Sequence, residues 1–133
     1  MPNIFASDTY RLSHLIKQEF WVEFGWCRKQ VTINESADKT YGVGTVLGKV
    51  TATGKYKVCV ESATDGSQVP AAIVLEDKKI VSGVDTKLVV LYRGPCIVSK
   101  AALVLDASFN TDAKKATAYA ALEALNIGVN ETI

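Results

Sequence analysis

The residues from Gly42 to Glu61, GVGTVLGKVTATGKYKVCVE, leave this chain few folds to choose from. Tyr56, Val58 and Val60 alternate with Lys57, Cys59 and Glu61, the period of a half-buried strand. Gly54 stands between TVLGKV and KYKVCVE, where a turn residue with positive φ is required, so the pair reads as a β-hairpin. The same glycines imitate an anion-binding loop. A P-loop needs Gly, about four residues, then Gly-Lys and a Ser or Thr hydroxyl for magnesium. Here Gly48-Lys49 follows Gly44 after three residues, or Gly42 after five, and the next residue is Val50. A P-loop also opens a helix, whereas Val50 leads into a turn and a second strand. The glycines are therefore expected to thin and twist a strand and to let other backbone approach, with Lys49 facing solvent.

The β character continues along the chain. SATDGSQVP (62–70) is a loop with an Asp65-Gly66 turn signal. AAIVLE and KLVVLY are continuous apolar runs of strand length, the pattern of strands buried on both faces, joined by the polar DKKIVSGVDT. Gly94-Pro95 then breaks LVVLYR from CIV as a turn. Upstream, Phe20, Val22, Phe24 and Trp26 alternate with Trp21, Glu23, Gly25 and Cys27. That is a strand with a strongly aromatic face, which serves either a core or an interface with a partner. NESADKTYG (34–42) reads as a polar loop.

One helix is expected. NTDAKKATAYAALEAL (110–125) is rich in Ala and Leu, with Asn110 or Thr111 as cap and Asp112 complementing the dipole. Ala118, Ala121, Leu122 and Leu125 make one stripe. Asn126 is placed to end the helix in the left-handed conformation with Ile127 packing back, and NIGVNETI then adds a short final strand. Residues 1–18 read as an arm. After Ile4, Phe5 and the Ser7-Asp8-Thr9 break, Tyr10, Leu12, Leu15 and Ile16 suit a turn or two of amphipathic helix. Such a helix needs a surface to pack on, its own domain or a partner. Neither a linker nor a repeat divides residues 19–133, which are expected to form a single domain.

Several functions find no support. Fifteen basic and fourteen acidic residues leave a formal net charge of +1, and the lysines are scattered along the sequence, so the electrostatic footprint of a DNA- or RNA-binding protein is missing. No run approaches the roughly 20 apolar residues of a membrane span, and the first residues have no unbroken apolar signal-peptide core. Cys27, Cys59 and Cys96 are odd in number and widely spaced, as expected of reduced core thiols in a protein made in a cytoplasm. One histidine, His14, lies in the arm, and neither a C-x-x-C pair nor a His/Cys cluster offers a metal shell. Glu76 and Asp77 are adjacent, so in a strand they point to opposite faces. No enzyme, cofactor or metal site is expected. Glu76-Asp77-Lys78 faintly resembles the modified-lysine turn of lipoyl carrier domains, but that fold leaves residues 1–40 and the C-terminal helix unexplained.

Read in order, TVLGKVTATGKY (45–56), DGSQ (65–68), AAIVLED (71–77), VLYRGPCIVSKAAL (90–103) and KKATAYAALEALNIGV (114–129) resemble the head decoration proteins of tailed bacteriophages, the family of the phage lambda capsid-stabilising protein. The resemblance spans residues 31–129, and Asn126 replaces the glycine that ends the family's helix. The aromatic EFWVEFGWCRKQ departs from it. What the resemblance implies is a mainly β, tulip-like or barrel-like fold with one C-terminal helix and an extended N-terminal arm. It also implies a homotrimer, without enzymatic activity, that binds the major capsid protein at local threefold sites outside the expanded head and stabilises it. On this reading Ile4, Phe5, Tyr10, Leu12, Leu15 and Ile16 contact the shell, and Phe20, Trp21, Phe24 and Trp26 contact the shell or a neighbouring subunit. The alternative is a carbohydrate- or host-binding β module in which Trp21 and Trp26 stack on sugars.

Overall fold

The computed structural model describes residues 15–19 and 27–130, and its centre is a closed barrel. Five strands build it: β2 (Arg28–Ile33), β4 (Val46–Lys49), β5 (Tyr56–Val58), β6 (Pro70–Val74) and β8 (Thr86–Leu91), in the order β2-β5-β4-β6-β8 with β8 returning to β2. The expected hairpin is its β4–β5 pair, with Lys49 opposite Tyr56 and Leu47 opposite Val58. Gly54 turns it at φ +72°, and Lys49 is solvent-exposed at the strand end.

The two apolar runs explain the layering. Along β6, Ala72 and Val74 enter the barrel core with Val31, Ile33, Leu47, Tyr56, Leu88 and Val90. Their neighbours Ile73 and Leu75 turn outward into a second core, joined there by Leu91 from β8. Ala72, Ile73 and Val74 are all fully buried. The runs are continuous because both faces of β6 and β8 are covered, in an antiparallel setting where Ile73 pairs with Leu91 and Val74 with Val90.

The covering layer is a three-stranded sheet, β1 (Ile16–Glu19), β9 (Cys96–Ser99) and β10 (Ile127–Asn130), together with helix α1 (Asp112–Ala124). β1 runs antiparallel to the central strand β9, while β10 runs parallel to it. Thr111 caps α1 by accepting from the Lys114 amide, and Asn126 ends the turn at φ 64°. Leu122 and Ile127 thereby reach the second core. Ala118 packs separately with Val46, Cys59 and Phe109.

The segment read as a polar loop contains a strand. β3 (Lys39–Tyr41) pairs antiparallel with β7 (Lys78–Ile80), and Tyr41 and Ile80 join the barrel core. Three residues are too few for period-two alternation to show, and the polar neighbours conceal the one aromatic that matters.

Glycines do hold backbone against backbone. A Cβ on Gly48 would lie 2.0 Å from the Ser67 carbonyl oxygen, and one on Gly44 (φ +98°) would lie 2.1 Å from that of Ala102. Gly83 has φ +74° with nothing within 4 Å. Gly48→Ala is therefore expected to destabilise by about 3 kcal/mol or more, because a carbonyl must move. Gly83→Ala costs only about 1 kcal/mol of left-handed strain. Urea denaturation of both variants measures the difference, and equal losses would contradict the packing at Gly48.

Candidate functional site

The first described residue is Leu15. Its side chain is fully buried in the second core, and Ile16 begins β1 opposite Val98 and packs against the same cluster. The register shifts between Ile16 and Gln18, after which Gln18 and Glu19 pair with Ile97 and Cys96. Of the six residues read as shell contacts, two are described: Leu15 is helical and buried in the second core, and Ile16 lies on the protein's own outer sheet, as strand from there onward. The other four, Ile4, Phe5, Tyr10 and Leu12, and the aromatic set Phe20, Trp21, Phe24 and Trp26 lie outside the described residues, as does His14.

The motifs that looked chemical have structural explanations. In the DGSQ loop, Asp65 Oδ1 accepts from the Ser67 amide at 3.1 Å and the Ser67 hydroxyl at 2.6 Å, and Oδ2 faces Lys57 Nζ at 3.0 Å. The Ser67 hydroxyl, followed by Lys57, holds the Asp65 carboxyl well below the usual carboxylate range. The Asp65 carbonyl accepts from Thr51 N at 2.9 Å, and Gly66 (φ +102°) keeps the loop close to Thr51. The DGSQ loop is therefore docked on the β4–β5 hairpin, with Gly48 making the room. Lys78 and Lys79 sit in β7 opposite Tyr41 and Thr40, a paired ladder rather than the free tip a carrier lysine needs.

A buried carboxylate went unnoticed in the sequence. Glu35, 3% exposed, accepts through Oε2 from the Tyr41 hydroxyl and from the Val58 amide, while Lys39 stands 3.9 Å from Oε1. Its backbone carbonyl accepts from Gly83 N at 2.8 Å. One residue thus ties β3, β5 and the 81–85 loop together. Burial, followed by the Glu35 hydrogen bond, raises the Tyr41 phenol above its ordinary range. Burial pushes the Cys59 thiol up to about 12, with the Asp106 charge adding to it. Cys27, Cys59 and Cys96 are all buried thiols, and those of Cys27 and Cys96 donate to the Pro95 and Arg93 carbonyls at 3.7 and 3.8 Å.

Among the described residues no group of three His, Cys, Asp or Glu could hold a metal, and no helix is long and apolar enough to cross a membrane. Among the described residues the large exposed apolar side chains are Val69, Val81, Val84 and Val104, each about half exposed. Val69 borders a groove of about 280 Å³ between the DGSQ loop and α1, floored by Pro70, Phe109, Ala118 and Ala121. The Lys114–Glu61 ion pair, 3.5 Å apart, lies on its rim. Such a surface suits packing against another protein better than bond-making.

These features define a small β-barrel protein whose recognisable motifs are contacts of the fold with itself. More particularly, the chain belongs to the phage head decoration family: the family model described as bacteriophage lambda head decoration protein D matches residues 11–127. The protein is thereby a structural component of the phage capsid. The match takes in residues 11–30, which the resemblance read from the motifs had left aside. No curated protein matches the chain.

The raised groups fix a pH dependence. Each holds its proton more tightly when folded, so its contribution is complete below the unfolded pKa and is lost as pH rises toward the folded one. Stability is expected to fall from about pH 9 upward as Cys59 begins to ionise in the unfolded chain. It falls further above about pH 10, where Tyr41 joins. Urea titrations from pH 7 to 11 measure this, and Cys59→Ala removes the earlier part of the slope. At pH 7, Tyr41→Phe costs about 1–3 kcal/mol because buried Glu35 loses a donor.

Proposed function

We propose that the protein is a homotrimeric cement protein that binds the outside of the expanded head at local threefold sites and stabilises it against the pressure of packaged DNA. Membership of the decoration family carries this reading. The residues before Leu15 act as a shell-binding arm, with Ile4, Phe5, Tyr10 and Leu12 as its apolar contacts. Leu15 and Ile16 anchor the arm to the outer sheet, in keeping with their burial and pairing. Phe20, Trp21, Phe24 and Trp26 contribute to the shell or intersubunit contact. The remainder, from residue 19 on, acts as one domain, and the three buried cysteines, held as thiols, agree with synthesis in the reducing cytoplasm of a bacterial host.

The mechanism is strand addition multiplied by symmetry. An extended arm that joins an exposed sheet edge gains main-chain hydrogen bonds, and alternate side chains select the site. Ordering one arm costs conformational entropy, so one contact is weak. Three arms on a closed trimer bind in succession, each later arm at a high effective concentration, which raises the overall affinity by roughly 10²–10⁴ over one arm.

The test is to delete residues 1–14, leaving Leu15 to fill its place in the core. Sedimentation should find the truncated protein trimeric, with an unchanged melting temperature. Mixed with decoration-free expanded capsids and imaged, it should leave the threefold sites empty, whereas the full chain fills them. Saturation by the truncated trimer would exclude the arm. Failure of the full chain to bind expanded heads would remove the cement function itself.

A further inference from the structure

Closure of the barrel is uneven. β2 pairs with β8 along its whole length, from Arg28 opposite Leu91 to Ile33 opposite Thr86. With β5, its other neighbour, it pairs only at Ile33 opposite Tyr56. The Asn34 amide donates to the Tyr56 carbonyl at 3.0 Å, so even-numbered residues of β2 turn their backbone groups toward β5. By the two-residue alternation of a strand, the N–H and C=O of Gln30 point the same way. Among the described residues no strand pairs with Gln30 on that side. A cleft of about 380 Å³ opens there, with residues 29–32 on one wall and Lys49 and residues 53–56 on the other.

The rim of this seam is basic. Lys29, Lys49 and Lys55 line it against a single carboxylate, Asp85. Asp85 already accepts from Asn34 at 2.7 Å and from Lys55 at 3.1 Å, contacts that hold its carboxyl below the usual range. Lys29 and Lys49 are both exposed. The Lys29 ammonium stands 4.5 Å from the Tyr92 ring centre and 5.7 Å from that of Tyr56, which keeps it at the mouth of the cleft.

We propose that this seam is a second binding site, which takes an extended acidic peptide segment of another protein by strand addition. The open ladder supplies main-chain hydrogen bonds at Gln30, and carboxylates at alternate positions of the incoming strand meet the lysines. Phosphate groups of a polyanion would match the ammonium groups but offer no donor to the Gln30 carbonyl, so the geometry favours a peptide. The proposal uses residues outside the arm and stands whether or not the arm binds the shell.

The experiment uses the full-length protein and fluorescent six-residue peptides, monitored by anisotropy and by the amide spectrum of the protein. One peptide alternates Glu and Val, a second alternates Lys and Val, and a third is the Glu–Val peptide N-methylated at alternate amides. Saturable binding of the first is expected, with the largest shifts at Gln30 and its neighbours. N-methylation should weaken it roughly tenfold, as should Lys49→Glu or Lys29→Gln, and the Lys–Val peptide should not bind. Melting temperatures of both variants check that the barrel is intact. Absence of saturable binding up to millimolar peptide would overturn the site. Equal affinity for the N-methylated peptide, or displacement of the Glu–Val peptide by a heparin fragment with no shift at Gln30, would show charge attraction alone and overturn strand addition.

Discussion

The rest of the structure depends on the pairing of β6 with β8, where Ile73 meets Leu91 and Val74 meets Val90. Each strand faces two cores at once. Val74 and Val90 fill the barrel, while Ile73 and Leu91 support the outer sheet and helix. A shift of one residue in this register would exchange the two sets. Both sets are apolar, so the exchange would not expose charge, and shape must distinguish the registers. Small Ala72 lies in the barrel core, whereas Ile73 and Leu75 lie in the outer one. A one-residue shift would place Ile73 and Leu75 where Ala72 and Val74 now pack, and a close-packed interior does not tolerate the added volume.

Around this pair, connections are fastened by close backbone approach rather than by ion pairs. Gly48 admits Ser67, Gly44 admits Ala102, and Gly94 admits Asn126, where an added Cβ would lie 1.7 Å from the carbonyl oxygen. The Gly94 amide donates to Leu125 at 2.9 Å, joining the β8–β9 turn to the end of α1. The ion pairs, such as Lys57–Asp65 and Lys55–Asp85, have side chains roughly a third to a half exposed and contribute little by themselves. The stability of a protein fastened in this way is expected to depend little on salt.

The parts of this design that were legible in the sequence are those with local causes. The hairpin, the capped helix and its Asn126 terminus follow from residue types a few positions apart, as does the double burial of AAIVL and LVVLY. The family motifs were legible too, and the structure gives their reason: TVLGKV and DGSQ are two sides of one contact, at Gly48 and Ser67. What could not be read depends on distant partners. Tyr41 and Glu35 are ordinary loop residues until Val58 and Gly83 are brought beside them. Lys29, Lys49 and Lys55 are scattered along the chain and meet only because the barrel closes with β2 beside β5. Leu15 is helical, as its spacing suggests, but at Ile16 pairing with β9 overrides so short a propensity.

The burial of Leu15 bears on how an arm of this kind works. An arm joined to a flexible linker would explore a large volume, and in the proposed trimer each copy would find its site independently. Fixing the chain at Leu15 and pairing it from Ile16 to Glu19 removes that freedom just before the proposed contact residues. The departure points are then set by the outer sheet, so in a trimer they keep a constant spacing. Effective concentration is highest when such spacing matches the spacing of the sites, and it falls steeply when the two differ. On the proposed reading, such anchoring would make the arm a gauge of shell geometry. If the proposed trimer binds in this way, it would favour the capsid state whose local threefold dimensions fit and would stabilise that state preferentially.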